Sequence, residues 1–201
     1  MAKVAIVIYS LYHHIATLAK EVKKGVEATG ATADIFQVPE TLSPEILKLL
    51  HGPARPDIPV ISDPNVLKEY DGILFGVPTR FGNFPAQLKA FIDSTGGLWA
   101  SGALYHKTAG FFVSTGTGGG VEMTAVNGLS TLAHHGMIYV PLGYTKAFAE
   151  LTDLTQVKGA SAWGSGTIAG SDGSRQPSEL ELKIAKIQGE EFAKVTKKLS
   201  A

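Results

Sequence analysis

The residues that first suggest chemistry are Ser10-Leu-Tyr-His-His-Ile15, because of what stands on either side of them. Val4 to Ile8 is an unbroken apolar run, and Ile15, Leu18, Ala19, Val22 and Val26 recur at helical spacing directly afterwards. The pattern predicts a buried parallel strand, a turn and a helix in immediate succession. Such a turn gathers unpaired backbone N–H groups and the positive end of a helix dipole, so it can hold a phosphate monoester without a lysine. The hydroxyls of Ser10 and Tyr12 are further partners, although Ser10 reads equally well as a simple helix cap.

Two more turns carry unusual residues. In Pro78-Thr-Arg-Phe-Gly-Asn83, Arg80 and Asn83 can donate to the edge of a polar heterocycle, Phe81 offers an apolar face, and Gly82 permits close backbone approach. Ser114-Thr-Gly-Thr-Gly-Gly-Gly120 offers exposed N–H groups, and eight glycines between Gly96 and Gly120 suit close contact with a flat ligand or a set of tight turns. The glycine turn lacks both the Lys-Ser/Thr ending of a nucleotide P-loop and the GxGxxG spacing. No serine stands in a Gly-x-Ser-x-Gly context. His13-His14 and His134-His135 are adjacent pairs without the i, i+4 spacing of helical metal ligands, so no metal site is expected. His134 closes the helix that follows the glycine turn, either facing the crevice or serving as a C-terminal cation.

These turns need a sheet to position them. Beyond the first strand and helix, strands are predicted at Ala33 to Val38, Gly72 to Val77, Thr108 to Ser114 and Met137 to Val140. Helices are predicted from Pro44, from Pro85, over Val121 to His135 and after Pro177, with a proline-rich loop over residues 53–64. Alternating strands and helices imply a parallel α/β sheet, covered on both faces. Five strands fit the doubly wound order 2-1-3-4-5, whose crevice brings the Ser10 and Pro78 turns together. Residues 141–176 contain no convincing long element and read as a partly structured insertion near the site or at a subunit contact.

The 201 residues, 44% of them hydrophobic, suit a single domain over 1–201. Eighteen basic and eighteen acidic residues cancel, which removes any general electrostatic attraction to nucleic acid or an anionic membrane. Without cysteine there are no disulfides, thiolate metal sites or cysteine nucleophiles. No integral membrane segment or signal-peptide pattern is evident, so a cytoplasmic protein is expected, with peripheral membrane association left open.

The motifs Pro78-Thr-Arg-Phe-Gly-Asn83, Thr95-Gly-Gly-Leu-Trp-Ala100, Ser114-Thr-Gly-Thr-Gly-Gly-Gly120 and Leu132-Ala-His-His-Gly136 resemble the WrbA family of flavodoxin-like NAD(P)H:quinone oxidoreductases, in its fungal-type branch. The likeness runs nearly end to end and includes Pro141-Leu-Gly-Tyr144 and Thr167-Ile-Ala-Gly-Ser-Asp-Gly-Ser-Arg-Gln-Pro177. It implies an FMN site in which Ser10, Leu11, Tyr12, His13, His14 and Ile15 hold the phosphate. Pro78, Thr79, Arg80, Phe81, Gly82 and Asn83, with Ser114, Thr115, Gly116, Thr117, Gly118 and Gly119, would surround the ring system. His134 would also line it, and Tyr12 and Trp99 would flank the nicotinamide or quinone pocket of a tetramer. The family usually has glycine where this chain has His13, a change that puts a side chain and a possible positive charge beside the phosphate. The reading is then two-electron reduction of a quinone by NADH or NADPH, with Arg80 offsetting negative charge on the reduced cofactor and His134 handling a proton. The alternatives are a flavodoxin-type electron carrier and a fold-retaining interaction protein that binds flavin weakly.

Overall fold

Val4, Ala5, Ile6, Val7 and Ile8 are all shielded from solvent. A run that is apolar on both sides has to lie in the middle of a sheet with both faces covered, and it does so here. In the computed structural model, which describes residues 1–200, strand β1 (Lys3–Ile8) pairs in parallel with β2 (Thr32–Gln37) on one side and β3 (Gly72–Pro78) on the other. Strand β4 (Thr108–Thr115) follows β3, and the order β2-β1-β3-β4-β5 is the doubly wound order expected.

The pleat sorts the side chains. Val4, Ile6 and Ile8 join the layer under α1 (His14–Ala28) and α7 (Glu179–Leu199), together with Ile15, Leu18, Val22 and Phe192. Ala5, Val7 and Tyr9 point the other way, into a layer with Leu88 of α3 (Ala86–Asp93), Leu98 of α4 (Gly96–Ala100), and Ala125 and Leu132 of α5 (Val121–His135). The short helix α2 (Pro44–Leu49) is capped by the Ser43 hydroxyl, which accepts from Ile46 N. The proline-rich stretch after it is tied to the sheet edge, since Gln37 Nε2 donates to Pro56 O (3.0 Å) and Ile58 O (2.6 Å) and Arg55 Nη2 to Val38 O (2.8 Å).

The fifth strand departs from expectation. Instead of Met137 to Val140, β5 is Ile138–Tyr139 alone, paired with Thr108 and Ala109 at the start of β4. Pro141 has no N–H with which to continue the ladder. The upper half of β4, Val113 to Thr115, pairs instead with β6 (Gly166–Ile168), a strand that sequence reasoning missed. The chain between them, which includes α6 (Phe148–Thr152), therefore interrupts the fifth strand position and returns to complete it.

Helices α1 and α7 cross at glycines. A Cβ on Gly25 would lie 2.0 Å from Lys186 O, and one on Gly189 would lie 2.0 Å from Val22 O. Ala normally favours a helix over Gly by about 1 kcal/mol, yet here the clash is with backbone and no rotamer relieves it. Gly25→Ala should therefore destabilise the protein by roughly 1–3 kcal/mol, lowering the thermal midpoint by several degrees. A raised midpoint in differential scanning calorimetry would mean that the helices are not in contact at Gly25.

Candidate functional site

The expected turn after β1 is built on a left-handed histidine. His13 has φ 68° and ψ −7°, stands at the N-cap of α1 and caps nothing with its side chain. Its carbonyl accepts from Thr17 N at 2.8 Å, and Ser10 Oγ accepts from Ala16 N at 3.1 Å. Among the described residues, the backbone N–H groups of Leu11, Tyr12, His13, His14 and Ile15 find no acceptor. The turn lies at one end of a cavity of about 280 Å³ lined by Ser10, Leu11, Tyr12, His14, Ile15, Pro78, Thr79, Arg80, Ser114, Thr115 and Gly116. Parallel register puts the three turns together: Ile8 pairs with Gly76, and Pro78 with Ser114, so all three leave the sheet at the same edge.

The fourth wall is Ala169 to Gly173, the loop after β6. Ala169 N donates to Thr115 O and Gly170 N to Gly116 O, each at 2.8 Å, so this loop extends the sheet pairing past the end of the strand. These five residues are absent from the sequence-derived site. Their signal was the Gly-Ser-Asp-Gly run at 170–173, readable as a strand-end turn only once β6 is known.

The Pro78 turn folds back on itself through Arg80 and Asn83, which pair backbone to backbone. Thr79 Oγ1 accepts from Gly82 N at 3.1 Å and lies 2.7 Å from Oγ1 of the buried Thr124 on α5. Asn127 Nδ2 donates to Gly82 O at 2.7 Å. Helix α5 thus positions this turn. Phe81, with φ 55°, presents a fully exposed ring. It borders a second, shallower hollow with Thr79, Gly82, Gly119, Gly120, Met123 and Asn127.

Several sequence-derived site residues lie elsewhere. The His13 imidazole turns away from the cavity, and Nε2–H donates to Ala54 O at 2.8 Å; its neighbour Tyr12 donates its hydroxyl to Leu50 O at 2.8 Å. The expected positive charge beside the phosphate is therefore not placed there. Asn83 uses its side chain on Phe84 N, and Thr117 and Gly118 border neither hollow. His134 is at the far end of α5, about 20 Å along the helix axis from the glycine turn at 1.5 Å per residue. There its Nδ1 donates to Ser130 O at 2.7 Å, so within its own chain it does not face the crevice. Trp99 shares that remote end, because Thr95 Oγ1 beside α4 is 2.9 Å from His135 Nε2.

A half-buried carboxylate braces the crevice from below. Glu40 accepts from the Tyr9 hydroxyl (3.0 Å), Gln87 Nε2 (2.8 Å), Thr41 N (2.9 Å) and Leu42 N (3.1 Å), joining the end of β1, the end of β2 and α3. Burial opposes its charge, but the bonds from Leu42, Gln87, Thr41 and Tyr9 together outweigh it and hold the carboxyl below its usual range. Burial, then the bond to Glu40, pushes the Tyr9 phenol well up, so it stays a donor. Asp172 is likewise held low, first by Ser174 N and then by the Ser174 hydroxyl, and so faces the cavity as an anion. Arg80, with Nη1 donating to Thr79 O at 2.9 Å, is the one cation among the cavity's lining residues.

The donor set fits a phosphate monoester: five free N–H groups at the start of a fifteen-residue helix, with hydroxyls beside them and no side chain among the described residues accepting from those amides. The turns at Pro78 and Ser114 offer backbone and an aromatic ring to something flat. Metal chemistry has no such support, since no group of three or more His, Cys, Asp or Glu among the described residues can hold an ion. Nor is any described helix long and apolar enough to cross a membrane.

Residues 3–149 match the family described as NADPH-dependent FMN reductase. The chain is 63% identical over 197 residues to a Candida albicans protein named NAD(P)H quinone oxidoreductase PST3, covering 98% of each chain. It is 64% identical over 192 residues to Protoplast secreted protein 2 of Saccharomyces cerevisiae, covering 96% of each. Among solved structures, a flavodoxin, WrbA-like protein from Agrobacterium tumefaciens aligns over 99% of each chain with TM-score 0.66 at 20% identity, a likeness of fold.

Glu40 gives a pH test of this geometry. A carboxyl whose folded pKa lies below its unfolded value adds stability above that unfolded value, near ~4.3, and loses it as pH falls through the folded pKa. Glu40→Gln should therefore lower the urea midpoint at pH 7, and the gap to wild type should narrow as pH falls below the ordinary glutamate range. A gap independent of pH would show that Glu40 acts by shape and not by charge.

Proposed function

The chain belongs to the family of NADPH-dependent FMN reductases, and from that premise we propose that it binds FMN in the crevice and uses NADH or NADPH to reduce a quinone by two electrons. The observation that carries the reading is the row of unpaired N–H groups from Leu11 to Ile15, opening into a cavity bounded by two glycine-bearing turns. Relatives at 60–63% identity that carry the name NAD(P)H quinone oxidoreductase support the substrate class.

FMN, when bound, supplies the chemistry of accepting a hydride and passing two electrons to a quinone. The protein's share is to bind, orient and exclude water. The amides of Leu11 to Ile15 and the Ser10 hydroxyl take the phosphate. Thr79, Arg80, Ser114, Thr115 and Gly116 flank the remainder, and Phe81 and Gly119 edge the open side where a second flat molecule can lie. The Arg80 guanidinium offsets negative charge at that side. No lysine lines the cavity, so helix-terminal donors have to do most of the work of holding an anion.

His134 and Trp99 cannot reach the crevice of their own chain, and Trp99 is 60% exposed at the same end of the molecule as His134. This placement supports a tetramer in which they complete the crevice of another copy, His134 near the proton-accepting oxygen of the quinone and Trp99 as a stacking wall. Because the reductant is an intracellular metabolite, the cytoplasm is the compartment that suits the reaction.

Reconstitution with FMN, followed by NADH and NADPH oxidation with and without benzoquinone, tests the reading. Quinone-dependent turnover with parallel double-reciprocal lines is expected, from a species that scatters light as four chains. Bound FMN without turnover would make the protein an electron carrier, and failure to bind FMN would make it an interaction protein. A 21.2 kDa monomer at every concentration would remove the shared crevice.

A further inference from the structure

Glu181 is wholly buried, yet it is not an apolar-core accident: every oxygen position is used. Oε1 accepts from Gly159 N (3.0 Å) and Ile168 N (3.2 Å), and Oε2 from Ser178 N (2.8 Å) and the Thr167 hydroxyl (2.9 Å). Arg175 Nη1 donates to both, at 2.9 and 3.2 Å. The donors come from the insertion, β6, the start of α7 and the loop between them.

Arg175 carries this order to the cavity. Its guanidinium also donates to Ile168 O (2.6 Å) and Val157 O (3.0 Å), and its N–H donates to Ala169 O (2.9 Å), closing the 169–175 loop on itself. Its own carbonyl accepts from His14 Nε2 at 2.9 Å. His14 is the first residue of α1 and lines the cavity. A continuous path of hydrogen bonds thus runs from Glu181 through Arg175 to the helix start that offers its amides to the anion.

We infer that Glu181 is a positioning residue for the phosphate end of the site, holding the 169–175 loop against the first turn of α1 so that the anion is enclosed between them. The inference rests on the FMN reading. Its charge matters as much as its shape. A glutamine amide has one accepting oxygen, so its NH₂ group would face either the Gly159 and Ile168 donors or the Ser178 and Thr167 donors, and Arg175 would lose its counter-ion. Glu181 also closes the capping box of α7 with Ser178, whose Oγ accepts from Glu181 N at 3.2 Å. A purely structural role therefore has to be separated from positioning.

The separation uses two flavins on apoprotein, FMN and riboflavin, titrated by quenching of flavin fluorescence. Glu181→Gln should weaken FMN about tenfold while changing riboflavin less than about twofold, because only FMN reaches the enclosed end. Arg175→Ala leaves the capping box intact and should lower the FMN-to-riboflavin ratio in the same way; it decides the matter if the glutamine variant does not fold. Ser178→Ala breaks the box without touching the loop, and should lower the thermal midpoint with the ratio unchanged. Equal losses of both flavins in Glu181→Gln and Arg175→Ala, or no loss of FMN, would overturn the inference. So would a ratio change in Ser178→Ala as large as theirs. Wild-type protein that takes up neither flavin would instead sink the FMN reading itself, and this inference with it.

Discussion

The left-handed backbone at His13 is the constraint on which the rest depends. A non-glycine residue held there costs about 1–2 kcal/mol, and the side chain offsets part of that by donating to Ala54 O while Tyr12 donates to Leu50 O. The reward is an abrupt change of direction between β1 and α1. It leaves five consecutive amides without partners, and such groups are expensive to bury unless something charged or polar meets them. The same two bonds fix the end of α2 at Leu50 and the start of the proline-rich segment at Ala54, so the strain that shapes the anion end also orders its neighbour.

Sheet register then brings the other walls to this turn. Pro78 lies beside Ser114 and Thr115 beside Ile168, so the turns after β3, β4 and β6 emerge at one edge. The alternation of Val4, Ile6 and Ile8 against Ala5, Val7 and Tyr9 secures that register, because a slip of one residue would exchange the two buried layers. Two carboxylates finish the job from opposite sides. Glu40 ties β1 to α3 beneath the crevice, and Glu181 ties β6 to α7 behind the last wall. Neither is among the residues lining the cavity.

Much of this was legible in the sequence. The apolar run at Val4 to Ile8, the helical spacing from Ile15, the strand predicted at Gly72 to Val77 and the helix predicted over Val121 to His135 announced the elements that carry the first three turns. What escaped was set by pairing over long distances. Gly-Thr-Ile at 166–168 is too short to show a period, and only the free upper half of β4 makes it a strand. For the same reason Ala169 to Gly173 were read only as part of an insertion near the site or at a subunit contact, and not as a wall. His134 and Trp99 carried a signal of type and not of place: a helix that starts at the crevice must end away from it. The resemblance put His13 where the family usually has glycine, and its backbone is left-handed, but the direction of its imidazole depended on Ala54, forty-one residues on.

The central physical idea is that neutral backbone amides at the start of α1, with no lysine, hold a phosphate dianion. Phosphorus-31 NMR of bound FMN between pH 5 and pH 8 reads this directly. A free monoester takes up a proton near pH ~6. Five N–H donors and a helix dipole favour the dianion over the protonated form, so the bound resonance should keep one chemical shift across the range. A bound phosphate that titrates with a midpoint near that of free FMN would contradict the cradle and place the anion in solvent.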